Sequence, residues 1–231
     1  MLSLLQNVAG KRTVTVRNHD EFTSAVNDSG VGTIITQGTI EFDEGGALDD
    51  GDREIYVRRD VVVRGTGELR YCRFHVENGA TLVLADSVFV NDTRSQGSWY
   101  DALNPVEVNA GGTLITQGSV SLRTEYGTGG SDEGFAVKLM DSGATAILGS
   151  SGTYWGAEGA VLSEATGTTL VINDGTYNAK NNERVVVDTH GDATVNGGTI
   201  SSMWISGTLR VNGGTFEHQD SASSNWTPLA V

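Results

Sequence analysis

Gly111-Gly112-Thr113-Leu114-Ile115-Thr116 returns as Gly143-Ala144-Thr145-Ala146-Ile147-Leu148, and again as Gly167-Thr168-Thr169-Leu170-Val171-Ile172. Each passage is a glycine turn followed by a short β-branched strand. Upstream the same figure is Gly79-Ala80-Thr81-Leu82-Val83-Leu84. Downstream it is Gly191-Asp192-Ala193-Thr194-Val195 and Gly207-Thr208-Leu209-Arg210-Val211. The anchor glycines at 79, 111, 143, 167, 191 and 207 are spaced by 32, 32, 24, 24 and 16 residues. Four of the six figures are followed by a second turn and a strand start, at Gly152-Thr153-Tyr154, Gly175-Thr176-Tyr177, Gly198-Thr199-Ile200 and Gly214-Thr215-Phe216.

A repeat of short strands and glycine turns near 24 residues predicts a solenoid. No such strand can bury a face alone, but stacked coil on coil each pairs with its equivalents above and below. The strands are then parallel, apolar inside and solvated outside. Glycine marks corners that need positive φ or close approach of two backbones. Tyr154, Tyr177 and Phe216 share a phase and are expected to pack along the coil. An antiparallel sandwich gives no reason for one glycine phase to persist over six units.

Ahead of the repeat, Thr13-Val14-Thr15-Val16 reads as a strand. Asp20-Glu21-Phe22-Thr23-Ser24-Ala25-Val26 has its apolar residues at 22, 25 and 26, one face of a short helix with acids in the first turn. Strand returns at Gly32-Thr33-Ile34-Ile35 and Gly38-Thr39-Ile40. With this lead-in the chain resembles the right-handed parallel β-helix, or pectin-lyase-like, superfamily over about residues 13–217. The resemblance implies an all-β, single-stranded right-handed parallel β-helix with a short N-terminal capping helix. Residues 1–12 would be an N-terminal attachment or cap segment, 13–217 the solenoid domain and 218–231 a C-terminal tail or cap.

The 231 residues carry 31 glycines and a net charge of −14. That charge argues against nucleic acid, whose phosphates are met by Lys and Arg, and against docking on anionic lipid. No apolar run is long enough to span a membrane. Three Lys (Lys11, Lys138, Lys180) stand against twelve Arg, and an acidic, Lys-poor surface fits a salt-loving setting, where dense carboxylates keep a protein hydrated. Cys72 is the one cysteine and reads as a buried, inert thiol. The N-terminus lacks the pattern of a signal peptide.

The superfamily includes polysaccharide lyases, glycoside hydrolases, adhesins and viral tail spikes, so the likeness specifies a fold and no single activity. Carboxylates near the anchor phase, Glu77, Asp141, Glu164 and Asp188, form the set a lyase or hydrolase would draw on, but no complete catalytic group accompanies them. Asp188-Thr189-His190 suggests an acid–imidazole pair without an identifiable nucleophile. The run containing Asp43, Glu44, Asp49, Asp50 and Asp52 could hold Ca²⁺ or another hard cation; it lacks the ligand order of an EF-hand, and no cofactor is expected.

Relative to a 24-residue coil, coils 79–111 and 111–143 each carry eight extra residues, placed at about 93–104 and 123–132. Loops on a rigid scaffold are where binding resides, and Trp99, Tyr100, Asp101 and Tyr126 are the candidate glycan- or partner-binding residues there. The chain therefore looks like a non-enzymatic structural or adhesive virion component, a tail spike, turret or capsid decoration of a virus with a halophilic host. On that reading it sits in the particle, outside the cell after assembly. Its partners are other virion proteins, itself (a trimer as the first expectation) and a host-surface glycan or glycoprotein. The alternatives are a polysaccharide lyase or glycoside hydrolase, and a glycan-binding module.

Overall fold

The computed structural model describes residues 8–42, 53–92, 104–124, 134–180 and 185–217. They form an all-β parallel β-helix with one helix near its start. Three sheets run the length of the molecule, of nine, eight and seven strands, here sheets A, B and C. The chain visits them in turn. Val31–Thr36 (β2), Thr39–Glu41 (β3) and Glu54–Val57 (β4) lie in A, B and C, and Val61–Gly65 (β5), Glu68–Arg70 (β6) and Arg73–Val76 (β7) repeat the circuit one coil on. Thr81–Leu84 (β8), Phe89–Asp92 (β9) and Val106–Val108 (β10) follow, then Thr113–Gly118 (β11), Ser121–Thr124 (β12) and Phe135–Leu139 (β13). The next coils are Thr145–Ser150 (β14), Thr153–Gly156 (β15) and Gly159–Ser163 (β16), then Thr169–Ile172 (β17), Thr176–Ala179 (β18) and Val187–Thr189 (β19). Asp192–Val195 (β20), Thr199–Ile200 (β21) and Met203–Ile205 (β22) make the seventh, and Leu209–Val211 (β23) and Thr215–Phe216 (β24) begin an eighth. Among the described residues every strand pairing is parallel.

Alternation along each strand sorts residues into inward and outward columns. Sheet B contributes the inner column Leu69, Val90, Leu122, Tyr154, Tyr177, Ile200 and Phe216, each in register with the next. Sheet C contributes Ile55, Phe74, Val106, Val137, Val161 and Val187. The shared-phase expectation for Tyr154, Tyr177 and Phe216 holds. The glycine code holds in two forms. Gly79, Gly111, Gly143 and Gly167 have φ between 70° and 86°. Gly191 and Gly207 do not; at Gly207 a Cβ would lie 2.1 Å from the carbonyl oxygen of Gly191, so close approach fixes that corner. The coil equivalence also slips by one at its C-terminal end. Thr145 pairs with Thr169, but Thr169 pairs with Asp192, a step of 23 where the glycine spacing suggests 24. Glycine position therefore marks a corner without setting its register.

The first coil is closed by the helix. Arg12–Val16 (β1) pairs with β2, and His19–Asn27 (α1) takes the place of strands in sheets B and C. Asn18 caps it by accepting from the Glu21 amide at 2.9 Å, and the Glu21 carboxylate accepts from the Arg17 amide at 2.8 Å. Phe22, Ala25 and Val26 are its buried face, as their spacing predicts, and Phe22 meets Phe42 and Phe74 edge-to-face. Arg59 donates to the carbonyls of Ala25 and Val26 at 2.9 Å each, satisfying groups the last helical turn leaves open. Val8 packs on a second apolar column, Val62, Val83 and Ile115, on the outer face of sheet A.

The connections from sheet B to sheet C decide where function can sit. In three coils this corner is two residues: Tyr71-Cys72, Ala157-Glu158 and Ser201-Ser202. In four others it contains the segments 43–52, 93–103, 125–133 and 181–184, which lie outside the described residues. The two extended coils of the repeat thus take their extra length at the same corner, from the neighbouring strands β9 and β12. Asn104 ties that corner together. Its side-chain oxygen accepts from the amides of Gly134 and Phe135 at 3.0 and 2.9 Å, and its amide group donates to Glu107 at 2.9 Å.

Candidate functional site

Outward residues of sheet B, with serines of the A-to-B turns that precede β9 and β12, form an open groove. Because Tyr154 points inward, its neighbours Thr153 and Trp155 face out; Leu122 likewise turns Ser121 and Arg123 outward. The groove is about 510 Å³, lined by Phe89, Leu122, Arg123 and Trp155 and by the hydroxyl residues Ser87, Ser119, Ser121 and Thr153. The Arg123 guanidinium lies over the Trp155 ring, its central carbon 4.8 Å from the centroid, a cation–π contact. Ser121 accepts from the Thr153 amide at 3.1 Å, and Ser119 faces Ser151 at 3.4 Å.

On sheet C a charged row runs along the outside. Tyr56, His75, Glu107 and Lys138 stand in register on β4, β7, β10 and β13. The His75 ring is held at both nitrogens, by Glu54 and by Glu107 at 3.3 Å, and Tyr56 stacks on it with centroids 4.9 Å apart. Arg73 reaches Glu107 at 3.5 Å and Lys138 reaches Glu164 at 2.9 Å. Three cations thus meet three carboxylates on a face that is largely dry: Glu107 and Lys138 are 7% and 6% exposed. Burial alone would lower the His75 pKa, but the bonds from Glu107 and Glu54 outweigh it and raise it to about 9. Burial would raise Glu107; the His75 hydrogen bond and the nearby Arg73 hold it below the ordinary carboxylate range. At neutral pH the row is an internally compensated imidazolium–carboxylate network, which suits structure better than proton transfer.

Of the carboxylates singled out by sequence, Asp141, Glu164 and Asp188 stand on or just after three consecutive strands of sheet C, and Glu77 lies two coils before Asp141. Glu77 follows β7 and accepts from the Asn109 side chain at 3.2 Å on the next coil. Asp141 is exposed after β13. Glu164 follows β16 and pairs with Lys138, and Asp188 lies on β19, in register with Leu162 and Trp204. None of the four lines the sheet B groove. His190 lies 3.9 Å from Asp188 and, on its other side, Ser206 lies 3.2 Å from its Nδ1. Ser206 sits sixteen residues on, at the equivalent place in the next coil, which is why local sequence reading missed it. The sequence of groups is that of a serine–histidine–aspartate relay, but 3.9 Å is no hydrogen bond to orient the ring. His190 is also open to solvent, with the edge of Trp204 against it.

Trp99, Tyr100, Asp101 and Tyr126, and the acidic run Asp43, Glu44, Asp49, Asp50 and Asp52, lie outside the described residues. Among the described residues no group of three or more His, Cys, Asp or Glu is arranged to hold a metal ion, and no helix is long and apolar enough to cross a membrane. Cys72 is fully buried; burial, with Asp92 and Glu54 adding to it, pushes its thiol pKa well up, away from the thiolate a nucleophile needs. No protein-family model, curated protein or solved structure matches this chain.

Proposed function

We propose that the protein is a non-enzymatic adhesive β-helix, a stiff spacer that carries contact surfaces at one corner. The observation that supports this reading is the gathering of its four long B-to-C connections at one corner, with the aromatic groove of sheet B immediately upstream of two of them. The setting we propose is the outside of a virus particle in concentrated salt, as a tail spike, turret or capsid decoration, self-associated and facing a host-surface glycan or glycoprotein. The net charge of −14 with three lysines supports the salt-adapted part of that setting. A glycan-cleaving enzyme would need two carboxylates across a shared groove at the separation its stereochemistry demands; none of Glu77, Asp141, Glu164 and Asp188 lines the groove of sheet B.

The test pairs binding with turnover. Purified protein is incubated at high salt with host-cell envelopes and with a panel of acidic and neutral polysaccharides, with and without Ca²⁺. The expected result is retention on envelopes, reduced when 93–103 and 125–133 are replaced by short Gly-Ser links, and no release of new reducing ends. Depolymerisation that is lost in Asp141→Asn or Asp188→Asn overturns the reading. Mass spectrometry of purified virus particles tests the setting: absence from particles while the chain is abundant in the cells contradicts it.

A further inference from the structure

We infer that the C-terminal end of the solenoid is a docking surface for the same end of a second copy, giving a tail-to-tail dimer on a two-fold axis. The inference rests on the adhesive reading for the role of self-association and names the surface that performs it.

The end of the coil is open. β22, β23 and β24 are the outermost strands of sheets C, A and B, and no described strand lies beyond them. Their inward residues Met203, Ile205, Leu209, Val211 and Phe216 are only half-buried, whereas the residues they pair with one coil back are buried. An edge strand with an apolar inner side is a template for pairing with another chain. Trp204 stands outward on β22 at 38% exposure, one of two large apolar side chains left exposed among the described residues.

Charge and register select the occupant. Residues 193–216 contain one charged side chain, Arg210, on a chain of net −14, so this end is where two copies approach with least repulsion. The chain's own continuation is a poor cover. The last coil advances by sixteen residues, and a further step from Met203, Ile205, Leu209 and Val211 lands on Gln219, Ser221, Asn225 and Thr227, all polar. Head-to-tail stacking is blocked, because α1 takes the place of strands in sheets B and C at the opposite end.

A two-fold axis across the solenoid sets the two coils running in opposite senses, so facing edges pair antiparallel. One sheet then pairs with itself and the other two exchange. Self-pairing of β23 would set Arg210 against its own copy. Self-pairing of β22 sets Trp204 beside the partner's Trp204, a favourable aromatic cross-strand pair, and lays β23 along the partner's β24. Such an isologous contact closes at two copies, where the resemblance suggests three.

Sedimentation equilibrium of the full chain over a concentration series tests this. A dimer is expected, tightening as salt rises and screens the net charge. Trp204→Glu should raise the dissociation constant about thirtyfold or more, as loss of a hot-spot aromatic does, while Tyr56→Glu, at the other exposed aromatic, leaves the dimer intact. Trp204→Cys should form a covalent dimer on oxidation; Cys72 is buried and does not compete. Circular dichroism and melting confirm that each variant keeps the coil. A monomeric or trimeric chain, or a dimer unchanged in folded Trp204→Glu, overturns the inference. A monomer in which Trp226→Ser with Leu229→Ser induces association overturns it in favour of the segment 218–231 as the cover. Envelope retention is read separately, so a monomer that is retained leaves the adhesive reading standing, and a dimer that is not retained overturns that reading alone.

Discussion

Tyr154 and Tyr177 lie one coil apart in the interior, ring centroids 4.6 Å apart and planes within 1° of parallel. That separation matches the spacing of hydrogen-bonded strands, so the rings stack because the coils do. The two hydroxyls find different partners: Tyr154 bonds to the Thr116 hydroxyl, and Tyr177 donates to the Asp174 carbonyl at 2.8 Å. Tyr154→Ala is expected to destabilise by about 3–5 kcal/mol, the range for truncating a fully buried aromatic. Tyr177→Phe, which loses one hydrogen bond and no ring, should cost about 1 kcal/mol. Urea denaturation followed by circular dichroism separates the two. A cost for Tyr154→Ala no larger than that for Tyr177→Phe would show that the stack is not part of the core.

The His75 network gives the fold an alkaline limit. Its pKa, raised from 6.5 to about 9, means that the folded state holds the proton more tightly than the unfolded chain. The stabilisation is complete below pH 6.5 and is lost as pH climbs through about 9. Between about pH 7 and 10 a loss on the order of 2 kcal/mol is expected from this linkage. Glu107 acts on the other side: its lowered pKa gives stability that is lost as pH falls into the acid range. In His75→Gln the alkaline decline of the urea midpoint should flatten. A midpoint that stays constant across that alkaline range in the unmodified chain would contradict the network.

Gly79 and Gly207 are both corner glycines, held for different reasons. Gly79 has φ 74° and open space on its side-chain side, with nothing within 4 Å of where a methyl would stand, whereas the methyl of an alanine at 207 would strike the Gly191 backbone. Gly79→Ala should cost about 1–2 kcal/mol, the left-handed strain alone. Gly207→Ala must separate two coils, and is expected to cost more than about 2 kcal/mol by the overpacking argument. Melting temperatures of the two variants rank them, and the reverse order would refute the close-approach account.

Asn104 is fully buried and serves three partners at the corner of β10 and β13. Asn104→Ala strands two amides and takes one donor from a Glu107 oxygen that keeps Arg73 at 3.5 Å, for an expected loss of about 2–4 kcal/mol. Asn104→Asp keeps the acceptor but sets a second negative charge beside Glu107, and should show its penalty most at neutral pH and recover part of it in mild acid. A pH-independent penalty in Asn104→Asp would mean that the contact with Glu107 is not made.

Much of this was legible in the residues. Alternation around Tyr154 already turns Trp155 outward, and the glycine step from 79 to 111 is the step from His75 to Glu107. What the pattern hides is burial on the outer face of sheet C. Alternation assigns Glu107 and Lys138 to solvent, yet both are buried, a cost that their opposite-charge partners offset. Ser206 beside His190 and the one-residue slip at Thr169 and Asp192 depend on three-dimensional register, which a corner glycine marks only approximately.

The most direct measurement is retention of the intact protein on host-cell envelopes at high salt, read alongside the release of new reducing ends from the polysaccharide panel. The account predicts retention that falls when 93–103 and 125–133 are replaced by short Gly-Ser links, with no cleavage. No retention, or depolymerisation that is lost in Asp141→Asn or Asp188→Asn, would contradict it.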